Sequence, residues 1–221
     1  MATILENVQG VKARIARAAQ AAGRRPESVT LLAVSKTHAA ERVAEARAAG
    51  LRAFGENYVQ EALRKMEVLP NLQWHLIGPL QSNKSRLAAE RFDWVQTVDR
   101  VKIANRLSEQ RPPHLPPLNV LVEVNISGEP TKGGAAVTEV TALCTAVAVL
   151  PRLRLRGLMA IPAPGASADL EKMHALYEKL SGEFAFDTLS MGMSDDLEPA
   201  IAAGSTMVRV GTAIFGKRMQ A

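Results

Sequence analysis

Lys36 ends the apolar run Leu31-Leu32-Ala33-Val34-Ser35, while the far end of the chain carries Ser190-Met191-Gly192-Met193-Ser194 and Arg209-Val210-Gly211-Thr212. A primary amine condenses with aldehydes, and glycine-hydroxyl loops offer backbone N–H groups and close approach to an anion such as phosphate. Together they point to a phosphorylated aldehyde as the ligand. Either half alone is weak, because most strand-end lysines are merely solvated and most glycine-serine loops are turns.

For Lys36 to act as a nucleophile, its amine must be neutral part of the time, although a free lysine titrates near ~10.4. Burial and positive neighbours both disfavour the ammonium. Alternation along a strand puts Lys36 on the same face as Leu32 and Val34, a partly dry setting. Arg209 shares a face with Gly211 and needs a partner if that face is buried. The partner is either the ring nitrogen of a heteroaromatic cofactor or a carboxylate such as Glu123 or Glu56. An arginine stays protonated, so it would leave a pyridine nitrogen unprotonated and the ring a poor electron sink. That favours holding a cofactor over demanding carbanion chemistry.

Gly192 and Ser194 follow one candidate strand, and Gly211 and Thr212 close another. Ser194 precedes Asp195-Asp196-Leu197-Glu198 and could equally cap the next helix. Asn57, in Phe54-Gly55-Glu56-Asn57-Tyr58, is either a hydrogen-bond partner for a ring hydroxyl or a helix cap. His75 reads at least as readily as a satisfied core histidine as a site residue, and the four histidines show no metal-ligand spacing. Glu123 and Asn125 share one face of a strand and could pair with Lys36 or with their own neighbours.

The totals exclude other classes. The 27 basic and 22 acidic residues leave a formal charge of +5, a mild excess. With aromatics at only 4% and no clustered basic stripe, no nucleic-acid partner is expected. Cys144 is the single cysteine, so an intrachain disulfide is impossible, and its apolar helical surroundings read as a buried inert thiol. The N-terminus lacks a signal pattern and no stretch has membrane-spanning length, so a cytoplasmic protein without a membrane partner is expected.

These residues must be positioned by alternating elements. After an opening helix, roughly 3–22, candidate strands cover 29–35, 53–56, 73–77, 94–98, 118–125, 155–161, 188–191 and 207–211. Helical patterns lie between them at 39–49, 59–68, 101–110, 137–150 and 170–184, with shorter connections at 82–90 and 197–203. Strands separated by helices pair in parallel, and eight such units can close on themselves. The expectation is an α/β fold: a single (β/α)8 TIM barrel with an additional N-terminal helix, one domain over 1–221. An open doubly wound sheet fits the same alternation. No Gly-x-Gly-x-x-Gly follows the first strand, however, and the candidate ligand residues fall at several strand ends along the whole chain. The proline-rich stretch 111–117 reads as a stiff connection, and the loop 162–167 as a rim or lid.

In their order and over nearly the whole chain, several motifs resemble one family: Ala33-Val34-Ser35-Lys36, Phe54-Gly55-Glu56-Asn57-Tyr58, His75-Leu76-Ile77-Gly78-Pro79-Leu80-Gln81-Ser82-Asn83-Lys84, Val124-Asn125-Ile126, Ser190-Met191-Gly192-Met193-Ser194-Asp195-Asp196 and Arg209-Val210-Gly211-Thr212-Ala213-Ile214-Phe215-Gly216. These are the motifs of the pyridoxal-phosphate homeostasis proteins, which are similar to the alanine racemase N-terminal domain. The resemblance implies pyridoxal 5'-phosphate (PLP) as cofactor, held as an internal aldimine on Lys36. It also implies a ring-nitrogen contact from Arg209, phosphate contacts from Ser194, Gly211 and Thr212, and Asn57 and Met191 lining the cofactor. It implies a role in intracellular PLP balance and amino-acid homeostasis without robust catalysis, with apo PLP-dependent enzymes as candidate recipients; separately, the absence of a domain-swapped catalytic partner points to a monomer. A PLP-dependent racemase or decarboxylase is the alternative. Against it, the chain ends five residues after Gly216 with no second β domain, and Tyr58 and Tyr177, the only tyrosines, fall on helix-type segments.

Overall fold

The computed structural model describes residues 2–163 and 165–216, so Pro164 of the rim loop and the residues after Gly216 lie outside the described residues. The chain opens with α1 (Ile4–Ala21), started by a capping box. The Thr3 N–H donates to Glu6 Oε2 at 2.7 Å and the Glu6 N–H donates to Thr3 Oγ1 at 3.2 Å. Ile4, Val8, Val11, Ile15 and Ala19 form the buried stripe of this helix, at the spacing an amphipathic helix requires.

Strand and helix then alternate: β1 (Thr30–Val34), α2 (Ala40–Ala48), β2 (Ala53–Glu56), α3 (Val59–Val68), β3 (Gln73–Leu76), α4 (Ser85–Arg91), β4 (Trp94–Val98), α5 (Val101–Gln110) and β5 (Leu118–Asn125). After a two-residue bridge, β6 (Ala135–Ala136), come α6 (Val140–Ala148), β7 (Leu153–Met159), α7 (Ser167–Phe184), β8 (Thr188–Ser190), α8 (Leu197–Ala202), β9 (Met207–Val210) and α9 (Thr212–Phe215). The hydrogen-bonded order is β4-β3-β2-β1-β9-β8-β7-β5, all parallel, and β4 also pairs with β5. That last pairing closes an eight-stranded barrel and rules out the open sheet. The (β/α)8 barrel with an extra N-terminal helix is thus the fold. β6 lies beside the end of β5, with Val124 opposite Ala135.

Boundaries shifted where the pattern was weakest. The helix expected from 137 begins as a 3₁₀ turn, Val137–Glu139, before α6. The strand expected from 155 already pairs at Leu153. α9 is a single turn of four residues, too short to carry a periodic signal.

Alternation along the strands divides two cores. Leu32, Val34, Ile77 and Met207 form one lumen cluster, and Trp94, Leu121 and Met159 another. Ala33, Phe54, Leu76, Val95, Leu158, Leu189 and Val208 face outward into the main layer beneath the helices. Both faces of β4 are covered, and all five of its residues are buried.

Candidate functional site

A cavity opens at the carboxyl ends of β1, β8 and β9, lined by Lys36, Ser194, Arg209, Gly211 and Thr212, with Val34, His38, Met193, Asp195 and Gly216 completing its walls. Residues from opposite ends of the sequence meet there because β9 pairs directly with β1, Arg209 beside Leu32 and Val210 beside Ala33. Gly211 is glycine for a steric reason, since a Cβ there would stand 3.1 Å from the Val34 carbonyl oxygen. Gly192 adopts φ +93°, and a Cβ there would meet Ala200 Cβ at 2.5 Å.

Ser194 does not cap α8: Asp196 occupies the N-cap position, with no side-chain cap bond. Ser194 Oγ instead accepts from the Ala213 N–H at 3.3 Å, tying the loop after β8 to the first turn of α9. α1 clamps both pieces from outside. Arg14 forms a two-point ion pair with Glu198 (Nε–Oε1 2.7 Å, Nη2–Oε2 2.8 Å) and donates to the Ser194 carbonyl at 2.9 Å. Asn7 Nδ2 donates to the Ile214 carbonyl at 2.9 Å.

Arg209 is only 4% exposed and, among the described residues, forms no salt bridge. Glu56, one expected partner, sits at the opposite parity: Gly55 faces the lumen, where its missing Cβ leaves room for Leu32 and Ile77, so Glu56 points outward. Glu123, the other, is near enough to favour the arginine's charge but makes no hydrogen bond with it. Arg209 donates to two neutral acceptors, Ser190 Oγ at 2.8 Å and the Ala160 carbonyl at 2.9 Å. Burial pulls its pKa down to about 10, partly offset by Asp196 and Glu123.

Below Arg209 the lumen is polar along one line. Ser190 Oγ donates to Gln96 Oε1 at 2.7 Å, Gln96 Nε2 lies 2.9 Å from His75 Nδ1, and His75 Nε2 lies 3.1 Å from Gln73 Oε1. His75 stacks on Trp94 with ring centroids 5.0 Å apart, and Gln96 Nε2 lies 3.2 Å from Met207 Sδ, so this line joins the two lumen clusters. Burial drives His75 down to a pKa of about 3. It is a neutral core histidine.

Met191 follows the lumen-facing Ser190 and therefore points its side chain into the outer core, away from the cavity. Asn57 follows β2, where its backbone packs against the space left by Gly78, and it does not cap α3, whose N-cap is Tyr58. Neither side chain lines the cavity that holds the other five. Glu123 and Asn125 line a smaller, separate cavity with Lys132, Gly133 and Ile161. Burial and nearby Asp99 push Glu123 up to about 7, against Arg209. Cys144 is buried, and its thiol is pushed up to about 12, far from a reactive thiolate.

His38 and Asp195 were not singled out in the sequence. His38 stacks on Phe215 with ring centroids 5.0 Å apart. Its position two residues after Lys36 was the available signal. Among the described residues no helix is long and apolar enough to cross a membrane.

Residues 7–219 match the family model described as alanine racemase, N-terminal domain. The chain is 59% identical to the pyridoxal phosphate homeostasis protein of Pseudomonas aeruginosa, covering 99% of this chain and 97% of that protein. Among solved structures it is similar to PipY of Synechococcus elongatus with PLP bound, at 34% identity and TM-score 0.82, covering 97% of this chain and 100% of that one. Alanine racemase of Clostridium difficile shares the fold at 13% identity and TM-score 0.75, with 96% of this chain matching 57% of that longer chain.

Proposed function

The chain belongs to the pyridoxal phosphate homeostasis protein family, and on that premise we propose that it binds PLP through Lys36 and serves intracellular PLP balance and amino-acid homeostasis. The observation that carries this reading is the convergence of Lys36, Arg209, Ser194, Gly211 and Thr212 on one cavity. An aldehyde, a ring nitrogen and a phosphate need an amine, a fixed donor and an anion cradle, and this donor set matches all three.

Bound there, the cofactor supplies a carbonyl group that condenses reversibly with primary amines. Lys36 Nζ would be the amine, beside Val34 in the cavity that Arg209 also lines. Arg209 would donate to the ring nitrogen and keep it unprotonated. Ser194, Gly211 and Thr212 would hold the phosphate, helped by the short approach that Gly211 permits. Asn57 and Met191, whose side chains lie outside this cavity, would make no side-chain contact with the cofactor. A held cofactor whose ring nitrogen stays neutral fits storage and delivery better than racemisation. The protein acts as a single domain and a monomer in the cytoplasm, with apo PLP-dependent enzymes as recipients.

Borohydride reduction of the PLP-loaded protein, followed by peptide mapping, tests the attachment. A stable adduct on Lys36 is expected, and an adduct elsewhere overturns the assignment. Incubation with L-alanine separates carrier from racemase, because rapid loss of chirality contradicts the carrier reading. Transfer of PLP to an apo-aminotransferase, with the protein's mass in solution measured alongside, checks delivery and assembly.

A further inference from the structure

We propose that Lys65 and Glu61 on α3 are positioning residues for Lys36, clamping the backbone on both of its sides so that the amine is presented into the cavity; this rests on the reading that Lys36 carries PLP. Thr37, immediately after Lys36, adopts φ +66°. A β-branched residue enters that left-handed region only at a cost of ~1 to 3 kcal/mol, and only where its surroundings hold it.

The turn is closed by the His38 N–H donating to the Ser35 carbonyl at 3.1 Å, and further contacts come from α3 and the end of β2. Lys65 Nζ donates to the Ser35 carbonyl, Glu56 Oε1 and Glu61 Oε1, each at 2.7 Å, which uses all three of its N–H groups. The Thr37 N–H donates to Glu61 Oε1 at 2.6 Å. Ser35 Oγ donates to Glu56 Oε1 at 2.5 Å. The peptide groups on either side of Lys36 are therefore tied to one buried ammonium and its two carboxylates. The Lys65 and Glu56 side chains are 5% and 0% exposed, and that of Glu61 is 16% exposed.

Stability does not explain such a cluster. Desolvating buried ions costs about as much as their attraction returns, and apolar residues of like volume pack as well or better. Apolar residues could not, however, accept from the Thr37 N–H or donate to the Ser35 carbonyl. Those two bonds determine where the residue between them points. An amine displaced by about 1 Å from its reactive position loses on the order of 100-fold in rate.

The experiment compares purified wild type, Glu61→Ala and Glu61→Gln, each stripped of cofactor and then given PLP, reading the rate of borohydride-trapped mass at Lys36 and the thermal midpoint. Glu61 is the partly exposed member, so its removal leaves the Lys65–Glu56 pair in place. Glu61→Ala is expected to slow capture by on the order of tenfold or more, with a midpoint close to wild type. Glu61→Gln keeps an oxygen for the Thr37 N–H and should recover most of the rate. Hydrogen exchange on the unmodified, PLP-free wild type should show the Thr37 amide protected, a readout that stands even if a variant fails to fold. Capture by Glu61→Ala at the wild-type rate, or a fast-exchanging Thr37 amide in wild type, overturns the positioning role. Absence of trapped mass at Lys36 in wild type instead overturns the PLP reading beneath it.

Discussion

The Arg209 guanidinium donates to Ser190 Oγ at 2.8 Å, and this bond sets the direction of every hydrogen bond beneath it. Arginine can only donate, so Ser190 accepts from it and must turn its own proton to Gln96 Oε1. The Gln96 amide then presents its nitrogen to His75 Nδ1, which leaves Nε2 as the protonated nitrogen facing Gln73 Oε1. A neutral His75 completes the chain, as its low pKa of about 3 requires.

Ser190→Ala breaks this chain at its strongest link, leaving a buried guanidinium N–H and the Gln96 oxygen without partners. The expected loss is about 2 kcal/mol or more, measured by urea unfolding. The absorbance of added PLP should also shift, because Arg209 then keeps only its bond to the Ala160 carbonyl. An unchanged unfolding midpoint would show that the hydroxyl is dispensable.

Arg14→Ala tests whether α1 shapes the anion cradle. The Arg14 and Glu198 side chains are 30% and 45% exposed, so the pair itself contributes at most ~1 kcal/mol and the thermal midpoint should barely move. Losing the bond to the Ser194 carbonyl should weaken PLP binding by roughly fivefold, the equivalent of ~1 kcal/mol. Binding of pyridoxal, which lacks the phosphate, should not change. Titration with the two vitamers distinguishes this from a general loosening.

Gly192→Ala should be among the most damaging single-methyl changes in the chain. The φ of +93° strains any L side chain, and the new carbon would press on Ala200 Cβ of α8. Strain and overpacking together should cost about 2 to 4 kcal/mol by chemical denaturation. The Gly192 carbonyl also accepts from the Arg209 N–H at 2.9 Å, so PLP binding should fall with stability.

Glu123 makes the PLP-free protein less stable as pH rises. Its carboxyl is raised from 4.5 to about 7 in the folded state by burial and Asp99, so the folded protein binds the proton more tightly than the unfolded chain does. That contribution is fully present below pH 4.5 and is lost as pH rises through 7. Holding the ionised form costs on the order of 3 kcal/mol. Glu123→Gln removes this dependence, so its stability relative to wild type should increase between pH 4.5 and 7. Equal slopes of stability against pH in the two proteins would show that Glu123 titrates normally.

Helices with a clear apolar stripe were legible to the residue: α3 over Val59–Val68 and α5 over Val101–Gln110. The same holds for β2, β4 and β5, bounded by turn residues. Lys36, Ser194, Arg209, Gly211 and Thr212, singled out because their residue types at strand ends suit an aldehyde and a phosphate, line one cavity in the fold. Lys65 was not. In the sequence it is one more cation on a helix, and nothing local reveals that Ser35, Glu56 and Glu61 bury it.

Which residues share a face follows from the two-residue repeat of a strand, a local property, so reading along the chain was enough to put Arg209 with Gly211 inside the barrel. Local order does not say which residues of β9 stand beside β1, or that Arg209 finds a serine and a carbonyl in place of a carboxylate. Those outcomes depend on contacts between segments distant in the chain. Burial there sets the cost of each unpaired charge, and close packing leaves few partners within reach.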